Sequence, residues 1–447
     1  MKNTYNIYTI VGFLVAVQLS TSGCKKYLDE KPVKSVVTIN TLKDLQAILN
    51  NDLYTQNYIS ITTAGADEYY LNNENYGSLN EPSRLIYLWD KNSYHGPWAQ
   101  CYRLVYYANV VLQELDKIEG GSEIERNYIK GQALFLRAFF FYELAQVYCK
   151  PYTADAATDP GIALRIVPDL EVASKRASVA QTYEQIIKDL KAAAGYLKPT
   201  REFVSRPYKA SAYGLLSRTF MAMRDYEQAL HYANLYLEAS PDLVDFNDLD
   251  PALEPAFTRD NVEIAYYATN EDDIVTYEPP IDTLLYAMYE DDDLRRSIYF
   301  KTGYSGTPTF RGSYSVSYAF QPFSGIATDE MYLNRAECYA RAGKVSEAML
   351  ALNALLIKRW KKDEFTDRTA NNKEEALQLV LRERRKELVY RGSRWTDVRR
   401  LNIEGENIEL KRVIDGQTYV LPANDKRSVW LLPLEVIQRS GMQQNER

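Results

Sequence analysis

Histidine is nearly missing: His95 and His231 are the two in 447 residues. A Ser-His-Asp triad or a His-rich metal centre therefore has little material to draw on. Cysteine is almost as scarce, with Cys24, Cys101, Cys149 and Cys338. Beyond Cys24, three widely spaced thiols make no disulfide framework. They read as small buried apolar side chains, with room for one optional pair. A surplus of positive charge is also lacking. Lys and Arg number 53 against 60 Asp and Glu, for a net charge of −7. That excludes the basic footprint of a nucleic-acid binder.

A membrane-length apolar run is missing from the N-terminus too. Lys2 is followed by the ten residues Ile10 to Leu19, nearly all apolar, and then by the small residues Ser20 to Gly23. The apolar stretch is about half the ~20 residues a spanning helix needs. Charge, short apolar core and small residues are the build of a secretory signal over residues 1–23. Cys24 directly after Ser22-Gly23 resembles a bacterial lipobox, although Thr21 stands where Leu is usual. The expectation is an acylated Cys24 followed by a tether over 24–40. Ordinary cleavage nearby, with an unmodified thiol, is the alternative.

Tyrosine is what the chain has in excess, at 37 residues. Its flat apolar face and polar tip suit wet cores as well as surfaces that meet sugars or peptides. Long amphipathic segments dominate the rest. Thr41–Leu53, Trp98–Ile118, Glu125–Tyr148, Val179–Leu197, Ala210–Met223, Tyr226–Glu238, Thr328–Ala342, Val345–Arg359 and Lys373–Leu401 all space apolar residues three and four apart. Strand-like runs are limited to short pieces such as Val262–Ala268 and Ser428–Leu432. The expected class is mainly α.

Two helix pairs look alike. Tyr213, Leu216, Ser217, Phe220, Ala229, Ala233, Tyr236 and Pro241 follow the spacing of a tetratricopeptide repeat. Tyr332, Ala336, Tyr339, Ala348, Leu352 and Leu355 repeat the plan, with Arg335 where Leu is usual. The matching alanines are 119 positions apart (Ala229 to Ala348), whereas a tandem array repeats about every 34. A regular solenoid is excluded. Non-helical blocks are expected at 56–97, 149–178 and 241–325, and a helical scaffold with long excursions is how binding loops are presented.

Five motifs in order resemble one family. They are "CKKYLDEKP" from Cys24, "WAQCYRLVYYANVVLQELD" from Trp98, "GQALFLRAFFFYELAQVYCKPY" from Gly131, "LRERRKELVYRGSRWTDVRRL" from Leu381 and "WLLPLEVIQRSGMQQNE" from Trp430. The chain is similar over its whole length to the SusD/RagB family of outer-membrane nutrient-binding lipoproteins. Departures are Arg391 for an acidic residue, Leu434 in the closing Pro pair, and Ser440 for Asn. The resemblance implies a SusD-like fold over 41–447 as a single domain, anchored at the cell surface. It implies capture of glycan or peptide fragments without turnover, and delivery to a SusC-like TonB-dependent transporter. It implies no cofactor.

Within the signature, Arg384, Arg385, Glu387, Arg391, Arg394, Asp397, Arg399 and Arg400 are interleaved with Leu388 and Trp395. Interhelical pairing is the expected use. Glu387 with Arg391 is an i,i+4 ion pair, and Lys386 with Tyr390 is a cation–aromatic contact at the same spacing. Arg394 is within reach of Asp397 or of a carboxylate on another helix.

Candidate ligand contacts fall on the excursions. Asp67 and Tyr70 lie in "DEYY"; Trp89, Asn92 and Tyr94 lie in "WDKNSYH"; Tyr289, Tyr304, Phe310 and Arg311 lie in the third block, with Tyr277, Tyr286 and Tyr314 nearby. Aromatic rings stack on the C–H faces of sugars, while Asp, Asn and Arg take the hydroxyls. Glu290 to Asp293 and "DFNDLD" from Asp245 offer carboxylates to a structural Ca²⁺, but both lack the glycine and closing Glu of an EF-hand. Two other function classes compete. A glycoside hydrolase needs only two carboxylates, and a tetratricopeptide-type scaffold would bind another protein on its concave face.

Overall fold

The computed structural model describes residues 39–57, 60–270, 278–303, 306–312, 314–315 and 321–447. Cys24, Tyr277 and Tyr304, the signal segment and most of the tether lie outside the described residues. Thr41–Arg447 forms one compact unit.

Ten helices carry the scaffold: α1 (Leu42–Leu49), α2 (Trp98–Leu115), α3 (Glu123–Tyr148), α4 (Val179–Tyr196), α5 (Lys209–Met223), α6 (Tyr226–Ala239), α7 (Thr328–Arg341), α8 (Val345–Leu356), α9 (Lys373–Glu387) and α10 (Arg394–Ile403). Side-chain caps mark several of their starts. Thr41 and Ser178 close capping boxes with Asp44 and Gln181, which satisfies N–H groups the first turn leaves without intrahelical partners. The phenylalanine run of α3 is buried on every side from Gly131 to Tyr148, the mark of a central helix. It packs between α2 and α4.

The two tetratricopeptide-like pairs form as the spacing predicts. Ala229 and Ala233 are fully buried in the seam between α5 and α6. Ser217 Oγ donates to the carbonyl of Ala229 at 2.9 Å, and the Phe220 and Tyr232 rings lie parallel with centroids 5.6 Å apart. In the second pair Ala336, Ala348 and Leu352 fill the same places. The pairs are also neighbours in space, because α6 packs on α7. The insertion between them leaves and returns at one edge, where Ile264–Tyr266 pairs antiparallel with Ile326–Ala327.

Five readings are corrected, the first being the non-helical block 241–325, which holds the short helices Thr283–Tyr286 and Arg295–Tyr299. The block 56–97 is not irregular: Ile61–Ala64, Asn73–Ser78 and Glu81–Tyr87 are short helices, the last capped by Asn80 with Pro82 in its first turn. The long periodic run from Lys373 breaks into α9 and α10, because Tyr390 (φ +57°) and Gly392 (φ +71°) turn left-handed between them. A hairpin also forms that the strand patterns did not announce, β1 (Leu410–Ile414) with β2 (Gln417–Leu421). Its turn residues Asp415 and Gly416 both have positive φ, as a two-residue hairpin turn requires. Ser428–Leu432, by contrast, is not a strand.

Most of the described tyrosines of the excursions pack. Tyr69, Tyr87, Tyr289, Tyr299 and Tyr314 join Phe246, Phe257, Phe300, Phe310 and Phe323 in a second core beneath the excursions. Cys101, Cys149 and Cys338 are free and buried. No helix among the described residues is long and apolar enough to cross a membrane.

Candidate functional site

The signature arginines are largely absorbed by carboxylates, through partners other than those the spacing suggested. Glu387 does not pair with Arg391; it receives Arg359 at 2.7 Å and Arg295 at 2.9 Å. Arg391 turns to Asp329 at 2.9 Å. Lys386 stands over the Tyr289 ring, 5.5 Å from its centroid, and binds Asp293 at 2.7 Å. The left-handed turn after Glu387 swings the later residues off the α9 register, so i,i+4 partners no longer face each other. Asp397 links Arg384 at 2.7 Å and Arg400 at 2.8 Å. Burial works against its charge, yet the two guanidiniums outweigh it and hold the carboxyl at about 2.

A groove of about 620 Å³ opens beside this network. One wall is Asp67–Tyr70, another is α9 and its sequel with Arg385 and Arg394, and a third is β1 with Lys411 and Arg412. Asp67 accepts a two-pronged bond from Arg394 (Nε to Oδ1 2.7 Å, Nη2 to Oδ2 2.9 Å) and a third from Arg385 at 3.1 Å. These cations overcome the penalty of burial and keep the Asp67 carboxyl well below the usual carboxylate range. Tyr70 stands at the rim, 36% exposed, and Leu284 beside it is 71% exposed.

Four buried groups in this groove have no protein hydrogen-bond partner among the described residues: Glu68 Oε2, Arg385 Nε, Ser393 Oγ and Arg412 Nε. Glu68 spends its other oxygen on the Tyr390 N–H at 2.8 Å. Burial pushes this carboxyl up to about 8, with the Tyr390 bond opposing, so at neutral pH it mostly keeps its proton. Arg412 is satisfied otherwise by the carbonyls of Tyr69 and Ala66. Orphaned polar groups deep in a native structure mark strain or a ligand's place. The groove thus offers N–H donors and a carboxyl that donates and accepts, beneath an aromatic and an aliphatic rim.

Of the residues singled out from sequence, Asp67 and Tyr70 are brought together here. Trp89 is not a contact: it is fully buried, its Nε1–H donates to Gly65 at 2.9 Å, and the Arg412 guanidinium lies 5.1 Å from its ring centroid. Tyr289 is buried with its hydroxyl on the Lys386 carbonyl at 2.7 Å. Phe310 is stacked on Tyr390 at 4.5 Å inside the second core. Arg311 is buried and spends its guanidinium on the carbonyls of Pro251 and Leu253. Large rings and a guanidinium on these excursions are worth more as core than as surface. Asn92, exposed, and Tyr94, half-buried, lie outside the groove.

Sequence reasoning missed Arg412, Lys411, Asp282 and Leu284. The Asp-Gly pair at 415–416, flanked by Leu410, Arg412 and Ile414 in alternation, was the available signal for the first two. In the acidic clusters weighed for Ca²⁺, Asp245, Glu290, Asp291, Asp292 and Asp293 each hold a Lys or Arg.

Fold and groove together define a helix-pair scaffold with a polar groove between its first excursion, α9 and the β1–β2 hairpin. A family model described as "Starch-binding associating with outer membrane" matches residues 26–221, and the "SusD family" model matches 276–433. The chain belongs to the SusD family, which is associated with the outer membrane. The SusD-like protein P2 of Formosa agariphila is 23% identical over 78% of this chain and 79% of its own length. A putative sugar binding protein of Bacteroides vulgatus shares the fold with a TM-score of 0.73 at 21% identity, over 91% of this chain and 98% of that one. A laminarin binding SusD-like protein superposes with a TM-score of 0.66 at 16% identity, over 91% and 99%.

Proposed function

We propose that this protein captures glycan at the cell surface, in the groove between Asp67–Tyr70, α9 and β1. The observation that carries the reading is the set of unpartnered buried polar atoms on Glu68, Arg385, Ser393 and Arg412 lining the same cleft as the exposed Tyr70 ring. Sugar hydroxyls both donate and accept, and a pyranose face stacks on an aromatic ring. The sugar-binding and laminarin-binding descriptions of two structural relatives support this class of ligand.

In this reading the chain binds without turnover. Asp67 is locked between two guanidiniums and is no free nucleophile or base. Acylation at Cys24 would hold the domain at the outer membrane, within reach of a SusC-like TonB-dependent transporter that takes the cargo onward. Peptide is the second ligand class, favoured by the paired donors and acceptors of the groove.

A screen of the full chain in detergent against laminarin, other neutral and acidic polysaccharides, and mixed oligopeptides tests the ligand class. The expected result is saturable binding to one polysaccharide, weakened by Tyr70→Ala. Binding to oligopeptides alone, or release of shortened sugars during incubation, would overturn it. Co-purification of the transporter with wild type but not with Cys24→Ala membranes tests the anchoring.

A further inference from the structure

A second pocket, of about 390 Å³, lies on the other side of the hairpin. Its walls are α10, the Lys150–Pro160 segment after α3, the ends of β1 and β2, and the C-terminal residues Gln443–Glu446. The size is within the range of small-molecule sites.

Two side chains one helical turn apart line this pocket from α10, Trp395 and Arg399. Trp395 is 1% exposed, and the benzo edge of its indole lies against Gly65. The indole N–H belongs to the opposite edge, and it has no hydrogen-bond partner among the described residues. A buried Trp ordinarily finds an acceptor for this group; Trp360 and Trp430 share the lack, and among the three Trp395 is the one that lines this pocket.

Arg399 is the more telling of the two. Its terminal nitrogens donate to the main-chain carbonyls of Gln146 and Cys149, while its Nε–H has no partner. Seven other buried arginines (Arg137, Arg218, Arg295, Arg359, Arg384, Arg391 and Arg400) each hold a carboxylate, whereas Arg311 and Arg412, like Arg399, are held by main-chain carbonyls. Arg399 holds none among the described residues, and burial lowers its hold on its proton. A buried cation without a counter-ion is costly unless something supplies one. The lining is mixed: Val398, Leu410, Leu421 and Val429 are buried along it, and of its four carboxylates Asp159, Asp425 and Glu446 already hold Lys150, Arg427 and Lys426, which leaves Asp155 as the acidic group without an ion pair among the described residues.

We propose that this pocket is a second ligand site, specific for a small carboxylate on an apolar body. The carboxylate oxygens accept from Trp395 Nε1–H and Arg399 Nε–H, and the hydrocarbon fills the space between Val398, Leu410, Leu421 and Val429. The anion supplies the counter-charge that Arg399 lacks. Nothing in this site depends on the glycan reading of the groove across the hairpin.

The test is calorimetric titration of the full chain in detergent with 4-phenylbutyrate, its alcohol 4-phenylbutanol, and glucuronate. Charge-assisted bonds are about twice as strong as neutral ones, so the acid should bind at least about tenfold more tightly than the alcohol. Trp395→Phe keeps a benzene ring and removes the pyrrole ring with its N–H; because the lost packing acts on acid and alcohol alike, the loss of the N–H should show as a several-fold greater weakening of phenylbutyrate than of phenylbutanol. Ile403→Trp, placed on a 37% exposed residue of the pocket lining, should weaken acid and alcohol alike while leaving the far-ultraviolet circular dichroism unchanged. Equal affinity for acid and alcohol, binding of glucuronate in preference to phenylbutyrate, a Trp395→Phe effect no greater on acid than on alcohol in a folded variant, or no saturable binding of phenylbutyrate in the millimolar range would each overturn the proposal.

Discussion

Asp67 and Arg394, 327 positions apart in the chain, meet in a two-pronged ion pair of 2.7 and 2.9 Å. The guanidinium is planar and fits both carboxylate oxygens at once, which a lysine cannot do. One pair thereby fastens the first excursion to the start of α10 and sets the floor of the groove.

Arg394→Lys keeps the charge and discards the fork, so it should destabilise the fold, by about 1–2 kcal/mol. Asp67→Ala strands two guanidiniums and should cost more, about 3 kcal/mol. Urea denaturation followed by circular dichroism checks the order; an Arg394→Lys chain as stable as wild type would show that the fork geometry contributes nothing.

Tyr70 and Trp89 should part company under mutation. Tyr70→Ala removes a rim side chain and should leave the midpoint of thermal unfolding almost unchanged while weakening glycan binding about tenfold, by loss of a stacking ring. Trp89→Ala opens a hole in a packed core and should cost about 3–5 kcal/mol. Paired measurements of affinity and unfolding separate the two; a Trp89→Ala chain of native stability would contradict the burial.

Glu68 should imprint itself on the pH dependence of stability. Its folded carboxyl sits at about 8 against 4.5 ordinarily. The folded form keeps a proton that the unfolded chain gives up above about pH 4.5. Its contribution is therefore fully present below that pH and is lost as pH rises through 8. Glu68→Gln imitates the protonated acid and should flatten the fall in stability between about pH 5 and 8 by a few kcal/mol. Denaturation series at several pH values give the slope; identical slopes for variant and wild type would sink this account.

Asp397 has the opposite sign. Held at about 2 against 3.8, it contributes stability above pH 3.8 that is lost as pH falls through 2. Asp397→Asn leaves Arg384 and Arg400 short of their shared counter-charge and should cost about 3–5 kcal/mol at neutral pH. Its acid-unfolding midpoint should also move upward.

The helical scaffold was legible because its signals are local. Apolar spacing located eight of the ten scaffold helices within a few residues and ran the other two together, and Ala229 and Ala233 announced the close helix seam. The break between α9 and α10 was hidden, since the left-handed turn falls on Tyr390 inside an unbroken apolar rhythm. The groove was half legible. Asp67 and Tyr70 stood among the excursion residues singled out from sequence, whereas Lys411 and Arg412 come from a hairpin more than 340 positions from Asp67 in the chain. Aromatic richness misled, because nothing local distinguishes a tyrosine that meets cargo from one that, like Tyr289, closes a core.

The strand pair Ile264–Tyr266 with Ile326–Ala327 works as a buckle, bringing both ends of the third excursion to one point between the repeat-like helix pairs. What hangs from that buckle is tied a second time, by Arg295 and Asp293 to Glu383, Glu387 and Lys386 of α9 and by the rings of Tyr289, Tyr299, Phe300, Phe310 and Phe323 in the second core. A graft between positions 267 and 325 would therefore have to bring its own rings and charges for those places, and only the stretches outside them are free to change length without refolding the body that carries them.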